Sequence, residues 1–391
     1  MVDRSMFKDV ALPCAYIDWN AFEQNVKSIA SKSNGKKIRI ATKSIRCIKV
    51  LKYILNSDKC FHGLMCFNPH EAVLLAENGF DDILMGYPTM DEKGINSLIH
   101  QIKKGKLITF MVDSIEQINL LEQIGAKNDI IFSVCLDIDM SYDVFGFHFG
   151  VRRSPLKTIK DIIPLLTFLL TKLNVKLDGL MGYEAQIAGV GDKVKSKLFS
   201  NLVIRLLKKK SINEYIKRRK EIVRHIEKDG FKLRFINGGG TGSLHITSLE
   251  EKVSEVTVGS GFFSPTLFDH YLYFQYEPAI GFALPIVRTP KKHYYTCTSG
   301  GFIASGSVGK EKLPTPFSPE KCKLLQVEGA GEVQTPIYYK GKEKLEIGDA
   351  ILFRPSKSGE IAERFSFFYI IKDNKIIDQY PTYRGDGGCY L

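Results

Sequence analysis

Lys43 ends a run of β-branched and small residues. Ile38 to Cys47 reads IRIATKSIRC, and the helical pattern IKVLKYIL follows at once. An amine held at the end of a strand can attack a carbonyl carbon and form an imine, so a single residue there can carry covalent chemistry. A solvated strand-end lysine is the plainer possibility. Two glycine-rich stretches lie far downstream, NGGGTGS (Asn237 to Ser243) and GSGFF (Gly259 to Phe263). Gly239, Gly240, Gly242 and Gly259 let backbone N–H groups approach a phosphate closely, and Thr241, Ser243 and Ser260 offer hydroxyl donors. Tyr183, in MGYEAQ, could lie against a planar ligand, with Glu184 and Gln186 nearby; ordinary packing would equally account for it.

These residues need elements to position them. From Lys37 onward, short β-type runs alternate with amphipathic helical runs, and the joints carry Gly, Asn, Asp or Pro. The strand candidates are KIRIAT (from Lys37), FHGLMC (Phe61), DILMG (Asp82), LITFMV (Leu107), IIFSVCLDID (Ile130), LDGLMG (Leu177), LRFING (Leu233) and VSEVTVG (Val253). About eight βα units over some 220 residues predict a (β/α)8 barrel, an α/β fold. A doubly wound sheet is disfavoured, because the first strand is followed by Lys43 and not by a G-x-G-x-x-G turn. In such barrels active sites lie at the C-terminal strand ends, and phosphates are held after strands seven and eight. NGGGTGS and GSGFF fall there, Lys43 ends strand one and Tyr183 ends strand six. The combination predicts pyridoxal 5'-phosphate, bonded through its aldehyde to Lys43.

After Pro278 the texture changes to short β-rich runs separated by Gly, Pro and Ser turns, which predicts a C-terminal all-β domain. The expected organisation is an N-terminal segment over 1–19 joining that domain, a barrel over 20–277, and the β-domain over 278–391.

Composition excludes several classes. The net charge of +12 invites a nucleic-acid partner, but the lysines concentrate in helical stretches such as Arg205 to Lys228, which reads as a solvated helix face. No nucleic-acid module is present. The eight cysteines are scattered, without a CxxC pair or zinc spacing, and predict free thiols in a reducing compartment. The N-terminus lacks the pattern of a signal peptide, and no apolar run approaches about 20 residues, so no membrane association and a cytoplasmic protein are expected.

The ordered set ATKSIRC, GYEAQ, NGGGTGS and GSGFFSPTLFDHY, then EGAGEVQTP and YRGDGG, resembles the fold-type III pyridoxal-phosphate enzymes. Their members include alanine racemase, D-threonine aldolase and D-serine dehydratase. The chain is most similar to the branch labelled amino acid deaminase/aldolase or alanine racemase-like, and the resemblance runs from about Pro13 to Leu391. It implies catalytic roles for Lys43 and Tyr183, Tyr183 stacking on the cofactor ring, and phosphate binding by Gly240, Thr241, Gly259 and Ser260. Thr257, a neutral group, falls near the pyridine nitrogen. The family carries an arginine near the end of strand five, against the cofactor's phenolic oxygen. Here FGFHFGVRRSP puts His148 in that place, with Arg152 and Arg153 just beyond, and the cofactor contact is expected from His148 or Arg152. The stretch corresponding to the metal site of the D-threonine aldolase branch, LFRPSKSGEIAERF, has neither histidine nor cysteine. No bound metal is therefore expected, and Glu360 and Glu363 are expected to face water.

The expected activity is that of a lyase, a deaminase/dehydratase or aldolase acting on a small, D-configured or β-hydroxy amino acid. A racemase would need a second acid/base from the β-domain of a partner subunit, for which Tyr294, Tyr295, Tyr338 and Tyr339 are candidates. Two more activities fit the same residues: a pyridoxal-phosphate-binding protein without turnover, and a cofactor-free imine-forming aldolase. The resemblance also implies a homodimer.

Overall fold

A computed structural model of the protein describes residues 2–144, 146–194, 197–307 and 309–390. Among these described residues, eight parallel strands close a barrel: Lys37–Ala41, Phe61–Cys66, Ile83–Met85, Ile108–Val112, Phe132–Asp139, Val175–Tyr183, Phe235–Gly238 and Glu255–Val258. They are the eight runs expected from the sequence. Because all run the same way, their C-terminal ends share one rim. The helices between them start on side chains that satisfy orphan N–H groups. Asn68 accepts from the His70 amide ahead of Pro69–Glu77, and Ser114 and Gln117 form a reciprocal cap ahead of Ile115–Asn128. A small hairpin, Tyr142–Val144 with Phe147–Phe149, follows the fifth barrel strand. Its strands are too short to produce a readable period.

The barrel interior is layered. Leu84, Met111, Cys135, Met181 and Phe235, with Met65 packed against them, form one apolar cluster drawn from six successive strands. Charged residues from nearer the N-terminal ends of the strands form a second cluster. There Arg39, fully buried, sits 2.7 Å from Glu255 and 3.1 Å from Asp82. His62 bridges Glu255 at 2.8 Å and Asp82 at 3.2 Å, and Arg234 reaches Asp82 and Asp178. Gly63 makes room for this plug. It has φ +58°, and a Cβ there would lie 2.6 Å from Arg39 Nη1 and 2.7 Å from the Asp82 carbonyl oxygen.

The plug makes stability depend on pH. Burial pushes the Glu255 carboxyl up, but the Arg39 charge and the His62 hydrogen bond outweigh burial and hold it at about 2. Such a carboxylate stabilises the fold above its ordinary value of 4.5 and stops doing so as pH falls through about 2. His62 works in the opposite sense. Burial lowers it, but hydrogen bonds to Asp82 and Glu255 raise it further, so its contribution is full in acid and fades as pH rises through the raised value. Glu255→Gln is expected to lower stability at pH 7 by about 3 kcal/mol, because it leaves the buried Arg39 short of a partner. It should also flatten the acid limb of a stability-versus-pH curve measured by urea unfolding.

The basic helix has the expected solvated face in part, since Lys209, Lys210, Lys217, Arg224 and Lys228 are exposed. It spans Leu198–Lys228, and Lys208, Arg218 and Arg219 are buried, not solvated. Lys208 pairs with Asp192 at 3.0 Å, and Arg219 with Glu184 and Glu250. Arg218 pairs with Glu214 of the same helix and donates to the Asp139 and Ser141 carbonyls, so the acids and carbonyls facing these cations draw them in.

The chain divides into two compact units, and the barrel strands all lie within Ala30–Lys43 plus Ile54–Gly259. The other unit holds Met1–Ile29, Ser44–Tyr53 and Ser260–Cys389. It is mostly β, with nine described strands in one sheet. Cys14–Asp18 enters this sheet, antiparallel to Ile280–Lys291 and parallel to Phe367–Lys372. Its core contains Phe7, Tyr16, Ala283, Leu352 and Ile371. The eight cysteines are free thiols, six of them buried. No described helix is long and apolar enough to cross a membrane.

Candidate active site at the barrel rim

The first barrel strand is built from β-branched residues and ends at Ala41, after which Thr42–Ser44 forms a single 3-10 turn. Lys43 is exposed, between buried Thr42 and Ser44. The strand pairs with the eighth, Ile40 opposite Val258, so Gly259 is one residue beyond the register position that leads to Lys43. The residues that follow each of them also meet: within the sheet-containing unit, the Ser44 and Ser260 hydroxyls are 2.9 Å apart. On the other side of the rim, Gly182 pairs with Gly238, which brings Tyr183 beside the glycine loop of the seventh strand.

Tyr183 ends its strand against Gly240. A Cβ on Gly240 would lie 3.3 Å from Tyr183 Cε2 and 3.0 Å from Ala188 Cβ, so bare backbone is what this packing admits. Burial and the adjacent Glu184 charge push the Tyr183 phenol up, with Arg153 pulling the other way. The phenol therefore stays a proton donor at neutral pH. Gly240→Ala is expected to weaken binding of pyridoxal phosphate about tenfold, seen by absorbance titration, because the added methyl must displace the Tyr183 ring or the loop.

The loop is braced from beneath by Glu184, which is fully buried. Its carboxylate accepts from the Gly239 amide at 3.1 Å, the Ser243 hydroxyl at 3.1 Å, the Thr247 hydroxyl, and Arg219 Nη2 at 3.0 Å. Arg219 also donates to the Gly182 carbonyl at 2.9 Å and pairs with Glu250. Ser243, expected as a ligand donor, instead serves the loop: it donates to Glu184 and accepts from the Gly240 amide at 3.1 Å. Gly242 and buried Thr241 complete the turn.

Thr257 is 7% exposed on the eighth strand, and its hydroxyl accepts from Asn237 Nδ2 at 2.8 Å. The same Asn237 amide donates to Glu255 at 2.8 Å, which fixes its orientation.

After the fifth strand, three basic residues meet three different fates. His148 lies on the small hairpin and pairs with Asp143 at 2.7 Å. Arg152 is exposed. Arg153 turns inward: its Nε donates to Asp137 at 2.6 Å, its Nη2 to the Gly86 carbonyl at 2.6 Å, and its guanidinium lies 5.3 Å from the Tyr87 ring centre. Only Arg153 acts on Tyr183 electrostatically. In an irregular loop no period distinguishes neighbouring arginines, so sequence alone had no signal for this choice. Arg219 did carry one, since it lies three, four and seven positions before the inward-facing Ile222, Val223 and Ile226.

The β-rich unit corrects one expectation. Glu363 does not face water; its oxygens lie 2.6 Å from Arg46 Nη1 and 2.8 Å from Arg384 Nε, and it is 9% exposed. Glu360 accepts from the Ser305 amide and hydroxyl. Among the described residues, no group of three or more His, Cys, Asp or Glu side chains is arranged to hold a metal ion. The tyrosines considered for a racemase sit on paired strands, Tyr294 opposite Tyr338. Tyr339 is buried, with its hydroxyl accepting from the Glu343 amide.

The rim thus gathers a lysine, an aromatic ring, a braced glycine loop and one inward arginine, a donor set suited to a phosphorylated aldehyde with an aromatic ring. A 3-hydroxy-D-aspartate aldolase from Paracoccus denitrificans (strain Pd 1222) is 23% identical over 254 residues, 64% of this chain but only 60% of that relative's length. The fold is shared with a D-threonine aldolase from Filomicrobium marinum, at TM-score 0.82 and 18% identity over 97% of this chain and 96% of that one. It is also shared with a D-threo-3-hydroxyaspartate dehydratase from Delftia sp. HT23, at TM-score 0.76 and 13% identity over 96% and 98% of the two chains. Residues 17–265, well over half the chain, match the family described as "Alanine racemase, N-terminal domain", and the protein belongs to that family of fold-type III pyridoxal-phosphate-dependent enzymes.

Proposed function

We propose that the protein is a pyridoxal 5'-phosphate-dependent lyase acting on a small β-hydroxy or D-configured amino acid. The observation that carries this reading is the sharing of one barrel rim by Lys43 and the braced glycine loop. The relatives named as aldolases and as a dehydratase of hydroxylated amino acids support the reaction class. Bound pyridoxal phosphate would supply an electron sink that weakens the bonds to the substrate's Cα.

The chain's own residues do the rest. Lys43 would hold the cofactor through its amine and then, released by the substrate amine, move a proton at Cα from one face. Tyr183 offers a flat surface for the ring and keeps its phenolic proton. Gly240, Thr241, Gly242, Gly259 and Ser260 would hold the phosphate. Arg153 is proposed for the place that the resemblance gives to an arginine, facing an anionic oxygen. Thr257, whose hydroxyl is paired with the Asn237 side chain, would present a neutral group to the pyridine nitrogen and not a cation. Eight free thiols suit a reducing cytoplasm, proposed as the site of action, and a homodimer is proposed on the resemblance.

The test is direct. Protein loaded with pyridoxal phosphate should absorb visible light, lose that band on borohydride reduction, and yield a phosphopyridoxyl mass on the peptide containing Lys43. D- and L-amino acids are then screened for keto acid, aldehyde or enantiomer. A colourless protein with no adduct sinks the proposal, and enantiomer as sole product replaces lyase by racemase.

A further inference from the structure

Asp137 is a fully buried acid near the rim and has no part in the scheme above. It lies on the inward parity of the fifth strand, two residues beyond Cys135 of the interior cluster, and is 0% exposed. One oxygen, Oδ2, accepts from Arg153 Nε at 2.6 Å. The other, Oδ1, is buried and has no hydrogen-bond partner among the described residues. The backbone repeats the link: the Ser154 hydroxyl donates to the Asp137 carbonyl at 2.6 Å, and the Asp139 amide donates to the Leu156 carbonyl at 2.8 Å. Arg153 is thereby pinned by Asp137, by the Gly86 carbonyl and by the Tyr87 ring. Among the described residues, its Nη1 makes no hydrogen bond. An arginine held on two sides with one N–H edge open is preorganised for an anion.

We infer that Asp137 is a positioning residue that fixes the Arg153 guanidinium at the barrel mouth and offsets its charge, so that a bound anionic oxygen meets a cation of set orientation and reduced strength. The inference rests on the proposed function, which places the cofactor beside Arg153. Other charged groups act on Asp137 too. Burial pushes its carboxyl up to about 6 against the pull of Arg153, with Asp113 and Asp139 adding to the rise. Asp139 is itself 3.6 Å from Lys157, and Arg153 also acts on the Tyr183 phenol.

The test uses full-length protein loaded with pyridoxal phosphate, and reads the pH titration of its visible band. A cation beside the cofactor's anionic oxygen favours the deprotonated form. Asp137→Asn removes the offsetting charge while keeping the shape, so the band's midpoint should move down by about one pH unit. Arg153→Met removes the cation and should move it up, while Asp137→Glu should stay near wild type. Opposite shifts are something that a merely structural acid would not produce. Borohydride trapping of the Lys43 peptide is run on each variant, so that loss of the cofactor linkage is seen separately. Intact adduct with unmoved or same-direction midpoints overturns the inference and leaves the proposed function standing; no adduct in wild type overturns both. If Asp137→Asn does not fold, Asp137→Ser takes its place in the same titration.

Discussion

Lys43→Ala is expected to fold like the parent protein and to lose its activity almost entirely. The side chain is exposed on a one-turn 3-10 element and its truncation empties no core space, so the thermal midpoint should stay within about 2 °C. Activity is another matter. The same amine would anchor the cofactor and carry the proton at Cα, and these roles together correspond to a fall in kcat of about three orders of magnitude or more. The borohydride-stable adduct should vanish with it, while pyridoxal phosphate still binds reversibly through the glycine loop. Turnover above about a tenth of the parent's would remove Lys43 from the mechanism. Lys43→Arg, which keeps the charge but cannot form the linkage, should be equally inactive, separating covalent from electrostatic roles.

Glu184→Gln is expected to damage both stability and cofactor retention. It removes one of the two carboxylates that neutralise Arg219, whose side chain is 1% exposed, and weakens four hydrogen bonds at once. Breaking a buried pair from one side costs about 3–5 kcal/mol, because the remaining charge is left without compensation. For a chain of this size the thermal midpoint should fall by roughly 10 °C. The Gly239 amide and Ser243 hydroxyl lose their common anchor, so pyridoxal phosphate should bind at least about tenfold more weakly. The double variant Glu184→Gln with Arg219→Met should recover part of the loss, since an absent pair destabilises less than a broken one. Additive effects in that cycle would mean that Glu184 and Arg219 do not work as a unit.

Much of this protein was legible in the linear sequence, for reasons that are local. A strand repeats every two residues and a helix every 3.6, so alternating runs announced eight βα units without any knowledge of contacts. Glycine clusters mark backbone that must bend or approach something closely, and they fell where a barrel holds phosphate. A lysine closing the first strand needed only the strand's end to be noticed. The N-terminal strand's two sheet partners lie more than 260 residues away, beyond the reach of any local pattern.

What the sequence could not decide depends on residues that meet only after folding. Arg39 and Glu255 come from two strands and Asp82 from just before a third, and together they form one buried plug; each alone looks like a surface charge. Arg153 differs from Arg152 only in which way an irregular loop turns it, and its partner there, Asp137, lies on the fifth barrel strand. Ser243 seemed free to serve a ligand until Glu184 was found beneath it. Pattern reports which face of an element is apolar. Long-range charge pairing, which chooses among polar residues on that face, carries no period, and tertiary structure alone assigned those partners.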